Sequence, residues 1–282
     1  MPDVSRRRLR ALHGQAARTF AQADFLHRRL REELLSRLDF VALEPRRVLD
    51  LGCGPGAAFA GLEGHFPDAS LIGIDHAPAM LQAAGATRAL QLCGDAHRLP
   101  LPDGSIDLVF CNLTLAYCPD PVPVLAEIRR VLAEPGLVLF STLGPDTLVE
   151  LREAWAPLGD HTHIVRFPDM HDLGDLVVRA GLAEPVLDRE SLTLSYPNLA
   201  ALRAELRAVG SINRTAGRNQ GLTGREKGRR MLSALEPCRD ADGRLSLTVE
   251  VVCGQGWAGA PAGRRAGPET SVPVDQITRR GI

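Results

Sequence analysis

Residues 21–38 carry Phe25, Leu26, Leu30, Leu34, Leu35 and Leu38 at helical spacing, which predicts an amphipathic helix. After it the period changes. RVLDL (47–51) is a short apolar run that stops at a glycine cluster and predicts a buried strand. A short helix follows over 57–64, then a strand at LIGID (71–75) and a helix at PAMLQAA (78–84) with proline in its first turn. RALQLC (88–93) predicts a strand, followed by a loop through Leu99 and Pro100. SIDLVFCN (105–112) predicts another strand, residues 121–132 a helix, and LVLFSTL (137–143), past the Pro135-Gly136 turn, a fifth strand. Strands alternating with helices in this way predict an α/β fold with a parallel sheet covered on both faces.

Beyond Leu143 the rhythm changes. Residues 145–156, 170–180 and 198–209 read as helices, and 185–196 and 244–253 as strands. Two late strands side by side would complete the sheet. The stretch 210–230, rich in Gly and Arg, predicts an irregular loop or cap. From Ala258 onward Ala, Gly, Pro and Arg dominate and periodicity stops, so 258–282 reads as a mostly disordered tail.

Composition narrows the class. At 282 residues, 45% hydrophobic and 24% charged, the chain has a real core and suits one α/β domain with additions. No apolar run approaches the roughly 20 residues of a membrane span. A formal net charge of -1 gives no case for nucleic-acid binding. Charge is unevenly placed, however. Residues 1–40 hold nine Arg against five acidic residues, and 203–230 hold seven Arg and Lys227 against Glu205 and Glu226. The six cysteines form no CxxC pair, so no metal site is expected. Cys53, Cys93 and Cys111 read as buried thiols at strand ends. The Arg-bearing N-terminus lacks the apolar core of a secretory signal, and a reducing cytoplasm is the expected location.

The strongest local signal is VLDLGCGPG (48–56). Gly52, Gly54 and Gly56 follow a strand that ends near Asp50, and glycines there let a ligand approach the backbone closely. The third glycine falls one residue early for a dinucleotide fingerprint, and no Gly-Lys-Ser/Thr follows as a Walker loop needs. An acidic residue just before the glycines repels a pyrophosphate but suits a cationic ligand. Asp75 closes the second strand, 25 residues on, where a carboxylate can accept from both hydroxyls of a ribose. Asp95 ends the third strand, placed to accept from an adenine amine, with the Ala96 backbone at the ring edge. Asn112, Leu113 and Thr114 end the fourth strand. In open α/β sheets the ligand lies across these carboxyl ends.

The four strand ends together resemble the class I, Rossmann-like S-adenosylmethionine-dependent methyltransferases, over about residues 45–143. The resemblance implies a mostly parallel seven-stranded sheet with helices on both faces and a helical cap. It implies S-adenosyl-L-methionine as cofactor, held by Asp50, Gly52, Cys53, Gly54, Gly56, Asp75, His76, Asp95, Ala96, Asn112, Leu113 and Thr114. The chain then divides into an N-terminal helical cap (1–44), a cofactor-binding core (45–143), a C-terminal half that completes the sheet and carries the substrate-side cap (144–257), and the tail (258–282).

The flanking segments are similar to a narrower group. HGQAARTFAQADFLHRRL, FSTLGPDTLVELREAW, HIVRFPDMHDLGDLVVRAGL and NRTAGRNQGLTG look like the biotin-pathway methyltransferases that esterify the free carboxylate of malonyl-acyl-carrier protein. That family usually has Phe at His13, Tyr at Phe20 and a Gln-Trp pair near Ala116-Tyr117. GPDTLVELR, DLGDLVVRAGL, SYPNL and the tail motif SVPVDQI are also similar to a mitochondrial complex I assembly factor of the same fold, which makes a protein-modifying or protein-holding role the alternative.

The first resemblance implies carboxyl O-methylation. A carboxylate with a pKa near roughly 4 is already ionised at neutral pH, so no general base is needed. The site must supply in-line geometry, about 3 Å from oxygen to methyl carbon, and a dry pocket. HIVRF matches the family's His-x-x-Arg-Phe pattern, so Arg166 is the expected residue orienting the substrate carboxylate, with His163 a weaker candidate to orient Arg166. Trp155 and Phe167 read as core. The expected partner is an acidic carrier protein bearing malonyl, docked on the basic segments.

Overall fold

A computed structural model describes residues 6–259 other than 119, 160, 214, 216, 220 and 222. Two helices, α1 (Arg6–Ala16) and α2 (Phe25–Arg37), precede the first strand, β1 (Arg47–Leu51). The chain then alternates through α3 (Phe59–His65), β2 (Ser70–Asp75), α4 (Pro78–Ala83), β3 (Leu90–Cys93), β4 (Ile106–Cys111), α5 (Val122–Val131) and β5 (Leu132–Leu143). The C-terminal half adds α6 (Val149–Trp155), α7 (Met170–Arg179), β6 (Ala183–Tyr196), α8 (Leu199–Ala208), α9 (Arg225–Ala234) and β7 (Leu245–Ala258).

The strands form one seven-stranded sheet in the order β3-β2-β1-β4-β5-β7-β6. β1 to β5 run parallel, and β7 inserts antiparallel between β5 and β6. This is the mostly parallel Rossmann-like sheet of the class I methyltransferase fold. The chain runs outward from β1 to β3, then crosses back to β4 on the other side of β1. The gap between β1 and β4 is therefore the topological switch point, where α/β sheets bind ligands.

Period-two alternation assigns each strand residue to one of two faces. Val48, Leu108, Phe110, Leu137 and Leu139 face α2 and α3, packing against Leu30, Leu34, Phe59 and Leu62. Leu49, Leu51, Val109, Cys111, Val138 and Phe140 face α5 and α7, against Val124, Leu125, Ile128, Leu173 and Val177. A third cluster joins α6, α8 and α9 to the far ends of β6 and β7 through Leu151, Leu202, Met231, Tyr196, Leu245 and Leu247. Side-chain caps fix the starts of two of the later helices. Asp169 accepts from Asp172 N–H at the start of α7, and Asn198 from Ala201 N–H at the start of α8. Each such cap stabilises by about 1 kcal/mol.

Several expectations change. The helix expected from residue 21 starts at Phe25, because residues 20–22 form a separate 3₁₀ turn. The fifth strand begins at Leu132, directly after α5, and passes Pro135-Gly136 with a register shift against β4. The 210–230 stretch is not irregular throughout, since α9 begins at Arg225. The last strand runs five residues past Cys253. Ala258, assigned above to the tail, pairs with Gly136. Residues 260–282, and with them SVPVDQI, lie outside the described residues. Cys53 and Cys111 are buried as expected but Cys93 is exposed, and among the described residues no disulfide forms. No described helix is long and apolar enough to cross a membrane.

Candidate active site

The glycine loop leaves β1 at Leu51 and is held by its neighbour strand. Gly52 N–H and Cys53 N–H donate to Ile74 O at 2.7 and 3.1 Å. The three glycines all have positive φ but play different parts. A Cβ on Gly52 would overlap the Thr114 hydroxyl, which itself donates to Leu51 O at 2.8 Å. A Cβ on Gly54 would meet nothing within 4 Å. A Cβ on Gly56 would lie 2.5 Å from the Phe59 ring, so this glycine serves packing of the loop onto α3.

Asp75 organises the second strand end. Its Oδ2 accepts from Gly54 N–H at 3.0 Å and its Oδ1 from Ala77 N–H at 2.7 Å. Burial raises its carboxyl above the ordinary range, against these backbone donors. Asp50 lies behind the loop, 3% exposed. Its Oδ2 has no hydrogen-bond partner. Burial first, and the Asp75 charge second, push it up to about 8, with Arg31 pulling the other way. An unpartnered buried acid of this kind fits a ligand that brings positive charge, and two carboxylate oxygens on Asp75 with lone pairs to spare fit a diol.

A cavity of about 470 Å³ lies over these strand ends. Of the residues expected to hold the cofactor, Gly52, Gly54, Asp75, His76, Asp95, Ala96, Asn112 and Thr114 line it. Asp50, Cys53, Gly56, Leu113 and Arg166 do not. Cys53 is buried beside Gly73 in the core, and Leu113, in a left-handed conformation, turns away to a second cavity. Arg166 is exposed and lines neither cavity. Its charge bears on Arg152, whose guanidinium donates to Pro145 O and Thr147 O. Asp95 is already engaged. Its Oδ1 accepts from His97 N–H at 2.9 Å and lies 2.8 Å from His97 Nδ1, while its Oδ2 accepts from Arg6 at 2.9 Å. Burial works to raise the Asp95 carboxyl, but these bonds outweigh it and hold it below its ordinary value.

The helical cap expected over 1–44 roofs the cavity, though none of its residues was expected to line it. Helix α1 contributes Arg6, Arg7, Arg10 and His13, with His13 stacked on His76 at 5.0 Å. The sequence reading missed a second cavity of about 150 Å³, walled largely by apolar side chains from α2, β6, α8 and the segments around 164–167 and 211–213. His163 is on its wall and stacks on Trp155 at 3.8 Å. Phe167, expected in the core, lines it too.

Comparison with known proteins decides the family. Residues 49–140 match the methyltransferase domain family. The malonyl-[acyl-carrier protein] O-methyltransferase of Gallionella capsiferriformans is 40% identical over 275 residues, covering 94% of each chain. This chain belongs to the malonyl-[acyl-carrier protein] O-methyltransferases. The relative of that name in Laribacter hongkongensis is 42% identical over 271 residues, covering 92% of this chain and 91% of its own. In solved structures the fold recurs in the YcgJ protein of Bacillus subtilis, with a TM-score of 0.59 at 18% identity, over 81% of this chain and 99% of that one. Within the family, the chain shows Phe20 and Tyr117 together on the wall of the larger cavity, both against His27.

Proposed function

We propose that this chain transfers the methyl group of S-adenosylmethionine to the free carboxylate of malonyl-acyl-carrier protein. The observation that carries the reading is the pairing of two cavities. One lies over the strand ends at the switch point, lined by Asp75, Asp95 and the glycine loop with the unpartnered acid Asp50 behind it, and the other is small and largely apolar and shares His27 and Tyr117 with it. In this reading Asp75 holds the ribose, Ala96 and Asp95 meet the adenine, and Asp50 neutralises the amino-acid ammonium from behind the glycine loop. When bound, the cofactor supplies a methyl group on a sulfonium, which the carboxylate oxygen takes as the carbon–sulfur bond breaks and its electron pair stays on sulfur.

The residues of the chain then have three tasks. They orient one carboxylate oxygen, keep water away, and leave the anion unprotonated. No general base is required, because the acceptor is ionised at neutral pH. The apolar wall of Leu26, Leu113, Leu143, Val165, Phe167 and Val249 supports the dry environment in which joining opposite charges is favoured. The exposed position of Arg166 gives no support to a direct part in orienting the carboxylate. Its charge fits the carrier-docking surface instead, with the basic segment 203–230, and the reading places the reaction in the cytoplasm.

The test is incubation with S-adenosylmethionine labelled in the methyl group and malonyl-carrier protein. Base-labile label on the malonyl group is the expected result. Cofactor binding without transfer to malonyl, together with capture of label on another protein, would replace this reading with that of a protein-modifying factor.

A further inference from the structure

Among the described residues, only His27 and Tyr117 line both cavities. They form the partition between the place of the donor and the apolar space beside it. Tyr117 Oη lies 2.5 Å from Ser211 Oγ and 3.3 Å from His27 Nε2. Burial, chiefly, pushes the His27 imidazole down to about 4, so the ring is neutral at physiological pH. The main chain at His27 is pinned as well. Its carbonyl accepts from Asn112 Nδ2 at 2.9 Å, and Asn112 Oδ1 accepts from Ser141 Oγ at 2.7 Å. The partition is thus a rigid set of uncharged hydrogen-bonding groups carried by α2, the end of β4 and the loop after α8.

The two charged groups that bear on His27, Asp24 and Arg31, act in opposite directions and pair with each other at 3.6 Å. No Arg or Lys among the described residues lines the second cavity. Its one carboxylate, Glu205, accepts from the Tyr196 hydroxyl at 2.8 Å, and burial raises it above the ordinary range. The arginines that face the donor cavity sit on α1, with Arg6 tied to Asp95 at the β3 end.

On the functional reading above, we infer that Tyr117, backed by Ser211 and His27, is the anchor of the acceptor carboxylate, and that the second cavity takes the short acyl thioester behind it. The ligand class is a three-carbon dicarboxylic half-thioester. The cavity of about 150 Å³ corresponds to roughly five waters, which suits a few heavy atoms and not a long acyl chain. In the complex the phenol O–H donates a hydrogen bond to one carboxylate oxygen and keeps its proton, while Ser211 O–H and His27 Nε2–H donate to the phenol oxygen. A guanidinium fork would engage both oxygens and hold the anion as a stable pair. One hydroxyl engages a single oxygen and leaves the other with its lone pairs facing the donor cavity. The anion keeps its charge until transfer consumes it.

The measurement compares carrier protein bearing malonyl with carrier bearing acetyl, which lacks the carboxylate, binding to the full chain saturated with S-adenosylhomocysteine. Wild type is expected to prefer malonyl by about 10-fold or more, the range for losing a hydrogen bond to a charged group. Tyr117→Phe is expected to erase most of that preference, leave acetyl-carrier affinity and S-adenosylhomocysteine affinity within about 3-fold, and lower kcat/KM for malonyl-carrier by about the lost factor. Ser211→Ala is expected to move the same ratio in the same direction by a smaller amount, and serves alone if the first variant does not fold. Preference retained by both variants overturns the inference. A wild-type chain that binds the donor product but does not distinguish malonyl from acetyl overturns the functional reading and the inference with it.

Discussion

Arg6 on α1 and Asp95 after β3 form an ion pair of 2.9 Å on the wall of the larger cavity. Asp95 is the residue expected to accept from adenine, so the same carboxylate that would read the ligand also fastens the roof. The pair is exposed, 66% and 45% for the two side chains, so it is worth at most about 1 kcal/mol after solvent screening. Arg6→Ala should therefore leave the melting temperature within about 2 °C but speed S-adenosylhomocysteine release by up to about 5-fold, read by stopped-flow.

Asp50 gives the chain a pH signature. Its folded-state value lies near 8 against an ordinary 3.8, so the folded state without ligand binds the proton more tightly than the unfolded chain does. Stability from this group is full below about pH 4 and is lost as pH rises toward 8. His27 acts oppositely, with a folded value near 4 against 6.5, so its contribution is full above pH 6.5 and falls as pH drops toward 4. The two oppose each other from pH 4 to 6.5, and Asp50 alone acts from 6.5 to 8. Asp50→Asn should remove the loss of stability between pH 6.5 and 8 in thermal melts of the ligand-free chain. It should also weaken S-adenosylmethionine binding by about 30-fold or more, because the charge partner is gone. Calorimetry in buffers of different ionisation enthalpy should show proton release on binding to wild type near pH 7, and none to the variant.

Two glycines separated by a single residue, Cys53, should fail in different ways. Gly52→Ala must displace Thr114 and strain a backbone at φ +74°, so it should cost about 1–3 kcal/mol of stability along with binding. Gly54→Ala meets no neighbour within 4 Å and bears only the strain of φ +52°, about 1 kcal/mol. It should fold with a modest loss in melting temperature, yet lose S-adenosylmethionine affinity, because its methyl stands in the cavity. Equal losses of stability in the two variants would contradict this division of roles.

Arg166 separates docking from chemistry. Exposed and outside both cavities, it should act through the acidic carrier alone. Arg166→Ala should raise KM for malonyl-carrier protein with kcat nearly unchanged, and the wild-type KM should rise with salt while the variant's rises less. A fall in kcat with KM preserved would return Arg166 to the carboxylate.

The parallel half of the fold was legible because each strand there is a short apolar run closed by a residue with distinctive chemistry: Asp50 before glycine, Asp75, Asp95, Asn112. The last strand was cut short because Gly254 and Gly256 read as breakers. In the sheet both are close-packing positions, where a Cβ on Gly254 would meet the Phe140 ring and one on Gly256 would lie 3.1 Å from Val177. Helix α9 was hidden by Gly228 and a run of charges, with Met231 its only buried residue. Helix α1 has too many arginines to announce its buried Leu9. The second cavity left no local trace, since Leu26, Leu113, Val165 and Leu206 meet only after the chain has folded. The pull toward Arg166 came from a motif, and a motif does not say which way a side chain faces.

The antiparallel pair of β6 and β7, joined in sequence through α8 and α9, runs in register from Val186 with Gln255 to Tyr196 with Leu245, and past a register shift Ala183 meets Trp257, one end in the central layers and the other in the cap. It works as a common girder, so the cap has no hinge of its own at this junction. Damage at Tyr196 should be felt at Trp257, and heat should melt the two halves as one cooperative unit.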